Sequence, residues 1–200
     1  MRFLGRITDR QVTGEELGLV QRISRYGSRG VIINDQGKIA LMYLSKMRIY
    51  KLPGGGMLYG ETKEEAFIRE VREETGYPVE ILTELGSIEE HKARNHYLQH
   101  SYCFVAKVSG PSVGNALSAN EKRLGFQLRW FTPKQAGFRM QKNQCIDYTM
   151  KYILLRDRII LREGLLWLKK NPQPILPIHR LQIANGTTAI PRIVVPQIEE

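Results

Sequence analysis

The chain has 200 residues and a mass of 23.0 kDa, which suits one domain with short appendages. Hydrophobic residues make up 42% and charged residues 25%, so complete disorder, collagen and coiled coil are excluded as descriptions of the whole sequence. The net charge of +10 favours polyanionic partners such as nucleotides or nucleic acid.

The number of cysteines and the hydropathy pattern bear on location. Two cysteines cannot build a disulfide framework, so a reducing compartment is expected. No apolar run reaches the ~20 residues that a membrane helix needs. We therefore expect a cytoplasmic protein without a membrane segment.

The acidic residues are concentrated in one block. Half of the 20 acidic residues lie within residues 61–90 of an otherwise basic chain. Such a block suggests that a divalent cation bridges the protein to a phosphate group.

The first predicted elements precede this block. Apolar runs at 29–34 and 38–44, separated by the turn sequence NDQG, predict a β-hairpin. The PGGG segment at 53–56 is expected to be irregular, and to let the backbone approach another group closely.

A helix is predicted over 62–75. Thr62 and Glu65 have the spacing of a capping box at its start, and Gly76 is placed to end it. At about 100° per residue, Glu70, Glu73 and Glu74 share one face. Like charges on one face repel, and a hard divalent cation with oxygen ligands would compensate for them. A solvated acidic face is the alternative, although the preceding glycines and capping box favour the metal site.

The downstream elements are less distinctive. We expect extended structure at 79–90, a strand at 97–108, a loop at 109–120, a strand at 126–131 and a long helix at 146–170. Within that helix, the charged cluster from Arg156 to Arg162 is interpreted as a solvated face, and contact with phosphate or nucleic acid is the alternative.

Residues 55–77, GGMLYGETKEEAFIREVREETGY, resemble the Nudix box, G-x5-E-x7-R-E-U-x-E-E-x-G-U, in which U is a bulky aliphatic residue. The matching residues are Gly55, Glu61, Arg69, Glu70, Val71, Glu73, Glu74 and Gly76. Only Tyr77 departs from the pattern, which we expect to alter local packing and not the chemistry. The resemblance extends over roughly residues 28–170.

The resemblance implies a MutT-like Nudix hydrolase of the α/β (α+β) class, with a mixed β-sheet sandwiched between α-helices. It divides the chain into an N-terminal extension (1–27), a Nudix hydrolase domain (28–170) and a proline-containing C-terminal tail (171–200). It also implies a Mg²⁺ or Mn²⁺ site, whose expected ligands are Glu70, Glu73, Glu74 and the Gly55 carbonyl. Glu70 and Glu73 are expected to be catalytic as well. Arg69 is expected to orient a neighbouring glutamate, and Glu61 and Gly76 to be structural.

Three further residues are candidates from their positions. Glu121 is the only acidic residue between Glu90 and Asp147, and it precedes a predicted strand, so it is the candidate general base. Arg29 and Lys51 start or end strands near the box, where they would meet substrate phosphate.

The box does not define the substrate. Enzymes similar to ADP-ribose hydrolases have a proline about fifteen residues beyond the box, and this sequence lacks it. The default substrate is therefore a nucleoside triphosphate, including oxidised forms, which is cleaved to the monophosphate and pyrophosphate. An ADP-ribose or nucleotide-sugar pyrophosphatase is the alternative. A non-enzymatic nucleotide sensor and a protein acting on RNA 5′ ends are alternatives of other classes. The expected partners are a small-molecule nucleotide and a second copy of the chain in a homodimer.

Overall fold

A mixed eight-stranded β-sheet lies between helices in the computed structural model, which describes residues 1–173. The strands are β1 (Phe3–Thr8), β2 (Ile23–Ile33), β3 (Ile39–Leu44), β4 (Ile49–Lys51), β5 (Gly54–Gly56), β6 (Val79–Lys92), β7 (Tyr97–Val108) and β8 (Phe126–Phe131). The helices are α1 (Asp9–Val12), α2 (Lys63–Thr75), α3 (Ala119–Leu124), α4 (Pro133–Lys142) and α5 (Tyr148–Lys170). The strand order is β1-β6-β7-β2-β3-β4, with β5 paired to β2 and β8 to β3.

Alternating side chains of the central strands build a core on each face of the sheet. Val31 and Ile33 of β2 belong to the cluster that α4 and α5 cover, whereas Ile32 packs with Phe67 and Val71 of α2. This alternation follows from the two-residue period of a strand. The β1–β6 and β2–β7 pairs are parallel and the remaining pairs are antiparallel. The predicted fold class, a mixed sheet sandwiched between helices, is thereby confirmed.

The local elements around the acidic block form as predicted. The β2–β3 hairpin turns at Gly37, whose φ of 71° lies in the left-handed region. Helix α2 starts with the capping box of Thr62 and Glu65, and it ends at Gly76 with a φ of 77°.

Two of the expected irregular segments are regular instead. The prediction for 53–56 was wrong, because Gly54–Gly56 forms strand β5, antiparallel to β2. The loop predicted over 109–120 ends early, because Ser118 caps the short helix α3. In both cases the backbone found hydrogen-bond partners that a composition rich in glycine and small residues does not reveal.

Residues before the predicted domain also join the sheet. Strand β1 pairs in parallel with β6, and its Ile7 side chain is buried. The boundary expected between residues 27 and 28 falls inside β2, so Arg29 lies within a strand and not at its start. Most of the expected tail, residues 174–200, lies outside the described residues. Within residues 1–173, no helix combines the length and apolar character needed to cross a membrane.

A group of charged side chains lies inside the core, and we call it the buried ion cluster: Arg29, Glu90, Lys92, Arg156 and Asp157. The Arg156 guanidinium donates from Nη1 to Glu90 Oε2 at 2.8 Å and from Nε to Asp157 Oδ1 at 2.8 Å. Lys92 Nζ lies 3.2 Å from Glu90 Oε1.

The solvated face predicted around Arg156 was therefore wrong for its first two residues, since Arg156 is 1% and Asp157 0% exposed. Each lies one helical turn from a buried residue of α5: Tyr152 precedes Arg156 by four residues, and Leu161 follows Asp157 by four. The apolar stripe of the helix thus continues through two charged residues that find partners in the core.

We expect Glu90→Gln to lower the free energy of unfolding by about 3 kcal/mol, because Arg156 would lose a buried counter-charge. Burial opposes ionisation of Glu90, but the positive charges of Arg156, Lys92 and Arg29 outweigh it and lower its pKa to about 2, from an ordinary 4.5. This stabilisation is complete above about pH 4.5 and is lost as the pH falls towards 2.

Chemical denaturation of both proteins across this pH range measures the effect. The exposed Glu80 of the same strand provides the control, since Glu80→Gln should change stability by less than about 0.5 kcal/mol. An equally steep acid dependence in Glu90→Gln and the wild type would contradict the role of the ion cluster.

Candidate active site

The Arg69 guanidinium organises the carboxylates of α2. It donates to both oxygens of Glu61, at 2.5 Å from Nε and 3.0 Å from Nη2. Its Nη1 donates to Glu70 at 3.0 Å and to Glu73 at 3.1 Å. The hydrogen bond from Arg69 lowers the pKa of Glu61 to about 2. Glu61 also accepts from the backbone N–H of Leu58, so it joins the loop to the helix.

Glu74 is buried and has partners of its own. Its Oε1 lies 2.5 Å from Lys51 Nζ, and its Oε2 accepts from the Gly54 N–H at 2.9 Å. Burial raises the pKa of Glu74, and the positive charge of Lys51 opposes that rise. Lys51, which we expected at the substrate phosphate, therefore holds a carboxylate of the site in place.

Glu121 reaches the site through the segment that follows β7. The backbone N–H groups of Val113 and Ala116 donate to carbonyls at the C-terminal end of α2, at 2.8 Å each. Ser118 then caps α3 and donates to Glu121 Oε2 from its N–H and its hydroxyl, at 2.7 and 2.8 Å. These contacts fix the start of α3 next to the box.

Three carboxylates meet where these elements converge. One oxygen each of Glu70, Glu74 and Glu121 lie within 4.8 Å of one another. The backbone of Gly55 lies directly against this group, so closely that a Cβ there would be 2.2 Å from Glu70 Oε2. Several carboxylate oxygens at close quarters are the donor set of a hard divalent cation, so these residues fit Mg²⁺ or Mn²⁺. Glu73, expected among the ligands, borders the site with its carboxylate turned to Arg69.

The carboxylates line one wall of a pocket of about 620 Å³. The cationic residues that line it are Arg25, Arg29, Lys51 and Arg156. An apolar wall consists of Leu44, Leu124, Phe126, Met150 and Ile153. The pocket thus offers metal ligands, positive charge and an apolar surface to a single ligand.

Sequence reasoning did not identify Arg156 as a residue of this pocket. The signal was present in α5, where Arg156 and Asp157 interrupt an apolar stripe at helical spacing. A charged pair on a core-facing stripe needs buried partners of opposite charge, but the sequence does not indicate which residues these are.

Comparison with known proteins defines the class of this enzyme. The family model of the NUDIX domain matches residues 23–151, so the chain belongs to the NUDIX family and is a pyrophosphohydrolase. It is 27% identical over 118 residues to a Bacillus subtilis (strain 168) protein named "Putative 8-oxo-dGTP diphosphatase", covering 59% of this chain and 73% of that one.

Similar solved structures include a NUDIX hydrolase from Nitrosomonas europaea, with 20% identity, a TM-score of 0.48 and coverage of 66% of this chain and 88% of that chain. A MutT NUDIX hydrolase from Burkholderia pseudomallei has 22% identity, a TM-score of 0.46 and coverage of 66% and 96%.

Arg69→Lys tests whether the forked contacts of Arg69 organise the metal ligands. A lysine has no planar fork, so it cannot hold Glu61 through two bonds while contacting Glu70 and Glu73. We expect the affinity for Mn²⁺, measured by electron paramagnetic resonance, to fall about 10- to 100-fold. Arg72→Lys, on the exposed face of the same helix, is the matched control. Equal affinity in both variants would show that Arg69 has no such role.

Proposed function

We propose that the enzyme hydrolyses a nucleoside triphosphate, including oxidised forms, to the monophosphate and pyrophosphate with Mg²⁺ or Mn²⁺. The observation that carries this proposal is the convergence of Glu70, Glu74 and Glu121 within 4.8 Å on a pocket that also has cationic and apolar walls. The apolar wall suits a base, and the charged walls suit a polyphosphate.

In the proposed mechanism Glu70, Glu74 and the Gly55 carbonyl would hold the cation, with Glu73 beside them. When bound, a divalent cation neutralises the diphosphate and makes a bound water more acidic. Arg69 and Lys51 keep Glu70 and Glu74 in place before the substrate arrives.

Glu121 is the proposed general base. Water attacks a phosphorus atom, its proton passes to Glu121, and the bond to the leaving pyrophosphate breaks. Only Oε2 of Glu121 is engaged by Ser118, so Oε1 is available for a proton.

The substrate class is supported by the name of the Bacillus subtilis relative, which refers to an oxidised deoxynucleoside triphosphate. The proposal of Mg²⁺ or Mn²⁺ rests on the oxygen donor set, which suits both ions. The cytoplasmic location and the homodimer are proposals that rest on the sequence alone.

Hydrolysis of a nucleotide panel with Mg²⁺ by the wild type and Glu74→Gln tests the function. We expect the wild type to release pyrophosphate from triphosphates, and Glu74→Gln to lose activity about 100-fold or more because one carboxylate of the metal site is gone. Glu64→Gln, on the same helix with a half-exposed side chain, should retain activity.

The other candidate functions predict different results in this panel. Cleavage of ADP-ribose or nucleotide sugars in preference to triphosphates would select the alternative pyrophosphatase. Equal rates in the wild type and Glu74→Gln would reject the enzymatic site, and would leave a nucleotide sensor or binding to RNA 5′ ends.

Glu121→Gln separates proton transfer from metal binding. If Glu121 takes the proton from water, kcat should fall about 100-fold or more while the Mg²⁺ concentration at half-maximal rate stays the same. Lys122→Gln, the exposed neighbour, is the control. Recovery of kcat at high Mg²⁺ would instead show that Glu121 is a metal ligand and not the base.

A further inference from the structure

Two guanidinium groups reach the pocket from inside the core. Arg29 is 4% and Arg156 1% exposed, yet both line the pocket together with the carboxylates. Arg156 uses Nε and Nη1 for its carboxylate partners, and its Nη2 is buried without a hydrogen-bond partner among residues 1–173. The Nε atom of Arg29 is buried and unpartnered in the same sense.

Unpartnered donors of this kind are expensive in the core. A buried donor that lacks an acceptor keeps the full cost of its desolvation, and a charged donor costs more than a neutral one. No ion pair within the described part of the chain includes Arg29, although Arg29 is nearly as buried as the paired Arg156. The fold thus maintains two donors that an additional acceptor would satisfy.

The buried ion cluster also has an excess of positive charge. It contains three cations, Arg29, Lys92 and Arg156, but only two carboxylates, Glu90 and Asp157. Burial, followed by the positive charge of Arg156, lowers the pKa of Arg29 to about 10, and the charges of Asp157 and Glu90 offset this only in part. An anion in the pocket would restore the balance.

We propose that the buried Arg29 and Arg156 form an anion subsite of the pocket that receives the terminal phosphate of a nucleoside triphosphate. This inference rests on the proposed function and narrows its substrate class. A triphosphate has a third, anionic phosphate beyond the diphosphate that it shares with other substrates of this kind, whereas a nucleotide sugar has an uncharged sugar there.

The chemical character of the lining side chains favours a phosphate over a base at this subsite. The apolar side chains Leu124, Phe126, Met150 and Ile153 are partly exposed and suit the nucleoside. The two arginines are about as buried as Glu74, and they are more buried than these four apolar side chains. Guanidinium donors match phosphate oxygens in geometry and in charge.

Arg29 is the better residue to substitute, because it is not joined to a carboxylate. Removal of an arginine that only supports the fold should destabilise the protein. An arginine that binds an anion has an uncompensated desolvation cost while the anion is absent, and its removal relieves that cost. We therefore expect the thermal unfolding temperature of Arg29→Gln to stay close to that of the wild type, because the desolvation cost that is removed offsets the support that the charge of Arg29 gives to ionised Glu90. Arg29→Lys retains the charge and loses the forked donors.

The first experiment measures binding of inorganic tripolyphosphate by titration calorimetry in EDTA, so that no metal contributes. The wild type should bind it, and Arg29→Gln should bind about 10- to 100-fold more weakly. Arg29→Lys should recover part of the affinity. Arg139→Gln removes the same charge from an exposed site on α4, outside the pocket, and should bind like the wild type.

The second experiment compares kcat/KM for dGTP and for ADP-ribose with Mg²⁺. Arg29→Gln should lower the value for dGTP about 10- to 100-fold, since it lacks donors to the terminal phosphate, and lower the value for ADP-ribose by a clearly smaller factor. Equal losses for both substrates would overturn the assignment to a terminal phosphate.

The two experiments separate this inference from the proposed function. If the wild type hydrolyses neither nucleotide while Arg29 governs metal-free tripolyphosphate binding, the hydrolase proposal fails and the anion subsite stands. If the wild type does not bind tripolyphosphate in EDTA, or if Arg29→Gln binds it equally well, the anion subsite is wrong whatever the hydrolysis assays show.

Discussion

Repulsion between carboxylates on one turn of α2 is the constraint to which the surrounding structure responds. Arg69 holds Glu70 and Glu73 from the helix itself, and Lys51 holds Glu74 from the end of β4. The two positively charged side chains therefore belong to different elements, α2 and β4. The spacing of the carboxylates consequently depends on how β4 packs against α2. Strand β5 passes close to these carboxylates, and it can do so because Gly55 has no side chain that would collide with Glu70. The arrangement of these carboxylates thus depends on the sheet as much as on the helix.

The features that the sequence predicted are those determined by neighbours in the chain. The limits of α2 follow from Thr62, Glu65 and Gly76, all of which act within a turn or so of the helix end. The β2–β3 hairpin follows from its short turn. Glu121 was also identified from the sequence as the candidate general base, but the sequence did not predict that it lies close to Glu70 and Glu74.

The features that escaped prediction depend on partners far away in the chain. Strand β5 exists because β2 offers it backbone partners, and its glycines by themselves predicted a loop. Arg156 is buried because Glu90, 66 residues away, accepts its hydrogen bond. Lys51 was expected at the substrate, and it contacts Glu74 because strand β4 ends beside α2. A pattern of residue types gives no distance between such groups, so these contacts require the assembled sheet.

The position of β1 has a consequence for the order in which the sheet is assembled. β1 is synthesised before the other strands of residues 1–173, but its register pairs Thr8 with His91, so its neighbour β6 in this part of the sheet is made about eighty residues later. Closing such a long loop costs entropy before any contact repays it, which slows the docking of that strand. On the ribosome, the N-terminal segment therefore has to wait, with its apolar face uncovered, until β6 has emerged.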